Sequence, residues 1–178
     1  MDRSTRTIGR SPLANENLEY IRHLDQTIAI IIRSGYQSEG IEFFTPGIFS
    51  QQLGYMNRPA GYVIDPHVHN PVRREVAWTQ EVLVMRSGRM RVDFYTDGRH
   101  YLQSRVLVTG DIVLLAAGGH GFEMLEKSEI VEIKQGPYSG DADKTRFEGG
   151  SGPPSGVPHS SETGNQTTPF PIDVDSSS

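Results

Sequence analysis

His67 and His69 stand one residue apart in the stretch Asp65-Pro66-His67-Val68-His69-Asn70. On a β-strand, side chains two apart project from the same face. Two imidazoles placed that way can share a metal ion. Glu81 opens the alternating stretch Gln80 to Arg86 and shares a face with Leu83 and Met85. A carboxylate turned inward among apolar groups needs a partner, because an unpaired buried charge is costly. A metal ion is one such partner. His120 lies farther on, in Ala116-Ala117-Gly118-Gly119-His120-Gly121-Phe122, where it begins another strand and could close the site from the other side. Histidine and carboxylate donors suit one divalent transition metal, Fe, Mn, Ni, Zn or Cu, and the donors alone do not choose among them. Such an ion, with positions left open, can act as a Lewis acid, orient a substrate or activate oxygen.

The elements that must position these residues read as strands. Thr27 to Arg33 is a β-branched run, and Gly40 to Phe44 follows it. Phe49 to Tyr55 and Ala60 to Pro66 come next, with Asn57-Arg58-Pro59 as the turn between them. Gln80 to Arg86 turns at Ser87-Gly88 into Arg89 to Tyr95, and Asp97-Gly98 is a hairpin signal. Tyr101 to Thr109, Asp111 to Leu115, Gly121 to Leu125 and Ile130 to Gln135 complete the set. Close spacing and little room for helices predict an all-β sandwich or barrel. Thr27 to Arg33 is too apolar for an exposed edge strand, so it is covered within the barrel or pairs across a subunit interface.

The chain divides into an N-terminal extension (1–24), a β-rich body (25–147) and a tail (148–178). In the extension only Asn17-Leu18-Glu19-Tyr20-Ile21 suggests structure, as a short helical turn. The tail is Gly-, Ser-, Thr- and Pro-rich and has too few apolar residues to offset the entropy of ordering, so it reads as disordered.

The 178 residues are enough for one domain with its own core. There is no cysteine. That excludes thiolate zinc sites, Fe–S clusters, thiol catalysis and disulfide scaffolds. A net charge of −5 gives no electrostatic footprint for nucleic acid. No apolar run is long enough to span a bilayer as a helix, and no hydrophobic leader follows Met1. The expectation is a cytoplasmic protein acting on a small molecule, without nucleic-acid or membrane partners.

Two blocks of residues resemble the motifs of the cupin superfamily. The first motif is commonly written G-x5-H-x-H-x(3–4)-E-x6-G. Gly61, His67 and His69 match its first half, and Glu81 with Gly88 matches the second. The second motif, commonly G-x5-P-x-G-x2-H-x3-N, is similar to Gly110 through His120. The resemblance covers about residues 25 to 136. It implies a double-stranded β-helix, or jelly-roll barrel, with a metal on His67, His69, Glu81 and His120, and a homodimer. The chain departs from the pattern in three places. Eleven residues, Asn70 to Gln80, separate His69 from Glu81, which makes Glu75 a rival ligand. Ala116 replaces the proline, and His120 follows Gly118 one residue early. A one-residue shift on a strand turns a side chain to the other face unless a bulge or glycine turn restores it. The terminal Asn is absent, with Met124 and Glu126 in its neighbourhood.

Arg73 and Arg74 in the inserted segment could clamp a carboxylate or phosphate. Trp78, Tyr62 and Gln135 could line the substrate cavity. The leading expectation, which rests on the cupin resemblance and the all-nitrogen-and-oxygen ligand set, is metal-dependent, dioxygenase-like oxidation of a small polar, anionic metabolite, with iron the favoured metal. The alternatives are a non-redox isomerase or epimerase on a sugar or sugar nucleotide, which would need a general base such as a histidine without a metal, and a binding module without turnover.

Overall fold

The computed structural model describes residues 15–137 and 140–150. The tail beyond 150 and the first 14 residues lie outside the described part, and with them most of the expected disordered tail. Ten strands run in chain order: β1 (Leu18–His23), β2 (Gln26–Ile32), β3 (Gly40–Phe43), β4 (Gly54–Asn57), β5 (Glu81–Ser87), β6 (Arg89–Tyr95), β7 (Tyr101–Val108), β8 (Ile112–Leu115), β9 (Gly119–Met124) and β10 (Glu129–Lys134). One 3-10 turn (Gly140–Asp143) follows, and no α-helix occurs among the described residues. The protein is all-β, as expected, and its sheets are antiparallel. No helix in the described residues is long and apolar enough to cross a membrane.

Three layers form. A five-stranded sheet has the order β1-β2-β8-β5-β10, and a three-stranded sheet has the order β7-β6-β9. The β3–β4 hairpin forms the third layer. Alternation along each strand decides what lies between the layers. Ile31, Leu83, Met85 and Val113 face the smaller sheet and pack with its Met90, Val92, Phe94 and Leu107. Ile30, Ile32, Val82 and Leu114 point the other way and pack with Tyr36 and Phe44, with Tyr55 against them. Each such buried side chain contributes about 1.5–3 kcal/mol of transfer free energy. The run from Ile28 to Ile32 is thus buried on both faces. This answers the question its composition raised: β2 is covered within the subunit.

Asp111 closes the β7–β8 turn. It is the most buried carboxylate of the described part, 1% exposed. It accepts hydrogen bonds from the Ser34 and Val108 amides and from Arg33. Arg33 and Arg105 both reach Glu19 on β1. A buried charge is tolerated when it is paired and hydrogen-bonded in this way.

Three elements differ from the sequence reading. The strand expected over Phe49 to Tyr55 is confined to Gly54–Asn57, which takes in the expected turn residue Asn57, and the Phe49 amide instead closes a turn on the Pro46 carbonyl. Leu18–His23 is a strand paired with β2, where a helical turn was expected. Pairing with an almost wholly buried neighbour outweighs a weak five-residue helical signal. The strand expected over Ala60 to Pro66 does not form. Pro59, Pro66 and Pro71 each lack an N–H for a ladder, and Gly61 sits at φ +82°. Residues 58–80 instead make a long connection from β4 to β5, exposed as far as Thr79.

Candidate functional site

Glu81 and His120 meet across the gap between the two large sheets. Glu81 is the first residue of β5 and shares a face with Leu83 and Met85, which enter the core between the sheets. It therefore projects toward the smaller sheet, at the end of that core. His120 is the second residue of β9 and pairs with Phe94 on β6. Residues directly opposite in an antiparallel pair share a face, and the Phe94 ring is fully buried in the same core. The imidazole consequently faces inward.

Gly118 makes this register possible. Its φ is +68°, a region that favours glycine. A Cβ there would lie 2.3 Å from the Tyr95 carbonyl oxygen. The close approach lets β9 start at Gly119 opposite Tyr95, with His120 next along.

His120 Nε2 lies 3.3 Å from Glu81 Oε2. Lys134 Nζ lies 3.9 Å from the other carboxylate oxygen and 3.2 Å from Glu132. The hydrogen bond with His120 is the strongest influence on Glu81 and lowers its pKa. Partial burial acts in the opposite direction, and the charges of His120, Lys134 and Lys144 lower it further. The net result is a carboxylate held below its ordinary range.

The pair opens onto a cavity of about 550 Å³. Trp78, Tyr95, Lys144, Arg146 and Phe147 also line it. A larger open groove, about 960 Å³, shares Trp78 and is lined by apolar residues such as Leu24, Ile48 and Phe49 together with His23, Asp25 and Asp97. The smaller cavity is the candidate site, because there an acid and a base are in contact.

The remaining expected residues lie elsewhere. His67 and His69 are exposed on the 58–80 connection and not on a strand, so their shared direction does not come from a pleat. Their rings meet edge to face, 5.3 Å apart, and His67 Nδ1 is 3.0 Å from the Asp65 carbonyl oxygen. Among the described residues no three His, Asp or Glu side chains converge to hold a metal ion. Glu75, Arg73 and Arg74 are also on the exposed connection and line neither cavity. Tyr62 lies under the Arg58 guanidinium, 4.7 Å from it. Trp78 is 80% exposed and borders both cavities. The Gln135 side chain accepts the Gln80 amide proton at 2.7 Å and donates to Ser50 Oγ at 3.2 Å, so it secures the start of β5.

Tyr95, Lys144, Arg146 and Phe147 were not anticipated. The last three follow β10 in Asp143-Lys144-Thr145-Arg146-Phe147, a basic and aromatic cluster just before the Gly- and Ser-rich run. That change of composition was the available signal. Comparison with known protein families, curated proteins and solved structures gives no match.

Proposed function

We propose that this protein is a cupin-type enzyme that acts on a small polar anion by proton transfer, with Glu81 and His120 as the acid–base pair. The observation that carries this reading is the 3.3 Å approach of Nε2 to Oε2 inside a lined cavity. An ionised carboxylate only accepts hydrogen bonds. Beside Glu81 it therefore favours the proton on His120 Nε2, which leaves the Nδ1 lone pair as the base. A histidine oriented by a carboxylate suits general acid–base chemistry near neutral pH. The reaction class is isomerisation or epimerisation: a proton leaves a carbon beside a carbonyl and returns to the other face or a neighbouring atom. The C–H electron pair passes into an enolate and back, so there is no net oxidation. The facing antiparallel sheets support a jelly-roll barrel, as do the motif-like spacings around Gly61, Gly88 and Gly110.

The test is isotope exchange. A panel of sugar acids, sugar phosphates and hydroxy acids is incubated with the protein in D2O, and loss of C–H signals is followed by proton NMR. His120→Asn and Glu81→Gln should each slow exchange by about 100-fold or more. Exchange that survives both changes, or a panel with no exchange at all, would sink the reading.

A second reading is the metal-dependent, dioxygenase-like oxidation implied by the cupin resemblance. The same pair favours it, since one nitrogen and one oxygen donor stand side by side. The four expected ligands do not fit a metal as arranged, because His67 and His69 are not beside Glu81 and His120. No step is derived through a metal. Elemental analysis of protein purified without added metal tests this reading, together with the double change His67→Ala and His69→Ala. A stoichiometric metal lost in that double variant would favour it; a clearly substoichiometric metal content would remove it.

A further inference from the structure

The segment after β10 folds back over the Glu81–His120 cavity. It is anchored at both ends. Asp143 Oδ1 accepts a hydrogen bond from Thr79 Oγ1 at 2.8 Å. Phe147 packs edge to face on Tyr95, 5.2 Å between ring centres, with the Arg99 guanidinium 5.8 Å from its ring. Phe147 also sits so near Gly119 that a Cβ there would meet its ring at 2.9 Å. Between these anchors lie Lys144, Thr145 and Arg146, all lining the cavity. The cavity wall thus carries two cations, and Glu81 feels the charge of one of them, Lys144.

We propose that Lys144 and Arg146 form an anion subsite of this cavity, and that its ligand is a small molecule held there by a carboxylate. The proposal rests on the acid–base reading for the ligand's fate, though not for its binding. An arginine fork matches a carboxylate bidentately, and a lysine adds a point charge. Glu81 argues for a carboxylate over a phosphate. Its ionised oxygens repel the two charges that a phosphate concentrates on one group about twice as strongly as the single charge of a carboxylate at the same distance, and a dicarboxylate can turn its second carboxylate away to solvent. The ligand's uncharged part then extends toward His120, where the transferable proton would sit.

Trp78 is the single tryptophan of the chain and borders the cavity, so its fluorescence reports occupancy. The full-length protein is titrated with malonate and, separately, with inorganic phosphate at constant ionic strength. Malonate should give a saturable change. The double variant Lys144→Gln with Arg146→Gln should weaken it by about tenfold or more, the loss of charge-assisted hydrogen bonds. The charge-preserving double variant Lys144→Arg with Arg146→Lys should lose part of the bidentate match yet keep saturable binding tighter than the Gln variant, which separates charge from folding. His120→Asn should slow isotope exchange by about 100-fold or more while weakening malonate far less than the Gln variant does. If binding persists but exchange is absent in the unaltered protein, the acid–base reading fails and the subsite stands. The subsite is overturned by a missing saturable response to malonate, by equal affinity in the Gln variant, or by saturation with phosphate alone.

Discussion

His120 on β9 stands directly opposite Phe94 on β6. That pairing turns the imidazole to the face on which Phe94 enters the core, and so toward Glu81 on the facing sheet. The register depends on Gly118, the residue that lets β9 begin against the Tyr95 carbonyl.

Gly118→Ala should therefore separate the pair as well as destabilise the fold. The new Cβ meets a backbone oxygen at 2.3 Å in a backbone conformation at φ +68°. Strain of this kind costs about 1–3 kcal/mol. Thermal melting should show the loss, and isotope exchange should fall with it. Unchanged melting and exchange would show that β9 tolerates a different start.

Stability should fall in acid partly through Glu19. Burial alone would raise its pKa. The hydrogen bonds from Arg105 and Arg33, with their charges, outweigh burial and hold it below the ordinary 4.5. A carboxylate with a depressed folded-state pKa stabilises the fold fully above its unfolded value, and that stabilisation is lost as pH falls through the folded value. Urea unfolding should show a decline below about pH 4.5 that is smaller in Glu19→Gln. The site is partly open to solvent, so the difference should be about 1 kcal/mol or less. Equal pH profiles for the two proteins would remove Glu19 from the account.

Phe94→Ala should be among the most damaging single changes. The ring is fully buried between the two large sheets. Truncations of this type cost about 3–5 kcal/mol. Denaturant midpoints measure it directly. A loss under about 1 kcal/mol would mean that the two sheets do not share this core.

Arg73→Ala with Arg74→Ala should behave oppositely. Both residues are exposed on the 58–80 connection and line neither cavity. Stability should shift by no more than about 0.5 kcal/mol, and malonate affinity should stay within about twofold, as expected where no hydrogen bond to the ligand is lost. A large fall in affinity would place these arginines at the ligand and displace Lys144 and Arg146 from that role.

Much of the fold was legible in the chain. Alternation marked β5 and β6, and Ser87-Gly88 placed the turn between them, where Gly88 has φ +84°. The inward face of Glu81 followed from Leu83 and Met85. Other features depended on tertiary pairing, which local patterns do not encode. β1 is a strand because β2 offers it a partner. His120 faces inward because a glycine adjusts the register that motif spacing had left open. Lys144 and Arg146 reach the cavity because Phe147 packs back on Tyr95, a contact between positions 52 residues apart. The histidine pair was read from the pleat of a strand, and the prolines around it prevent that strand.

The connection between β4 and β5 runs through residues 58–80, 23 residues without regular structure. Connections longer than about 15 residues are uncommon in compact domains and usually carry function or length variation. Closure entropy depends only weakly on length, so halving this one would alter stability by about 0.6 kcal/mol. The core between the sheets is thus nearly indifferent to how much chain joins these strands. Deletions, insertions or grafted peptides can be accepted between Arg58 and Val76 at small thermodynamic cost, and that stretch offers a site for tags or reporters a few residues before Trp78, Thr79 and Glu81.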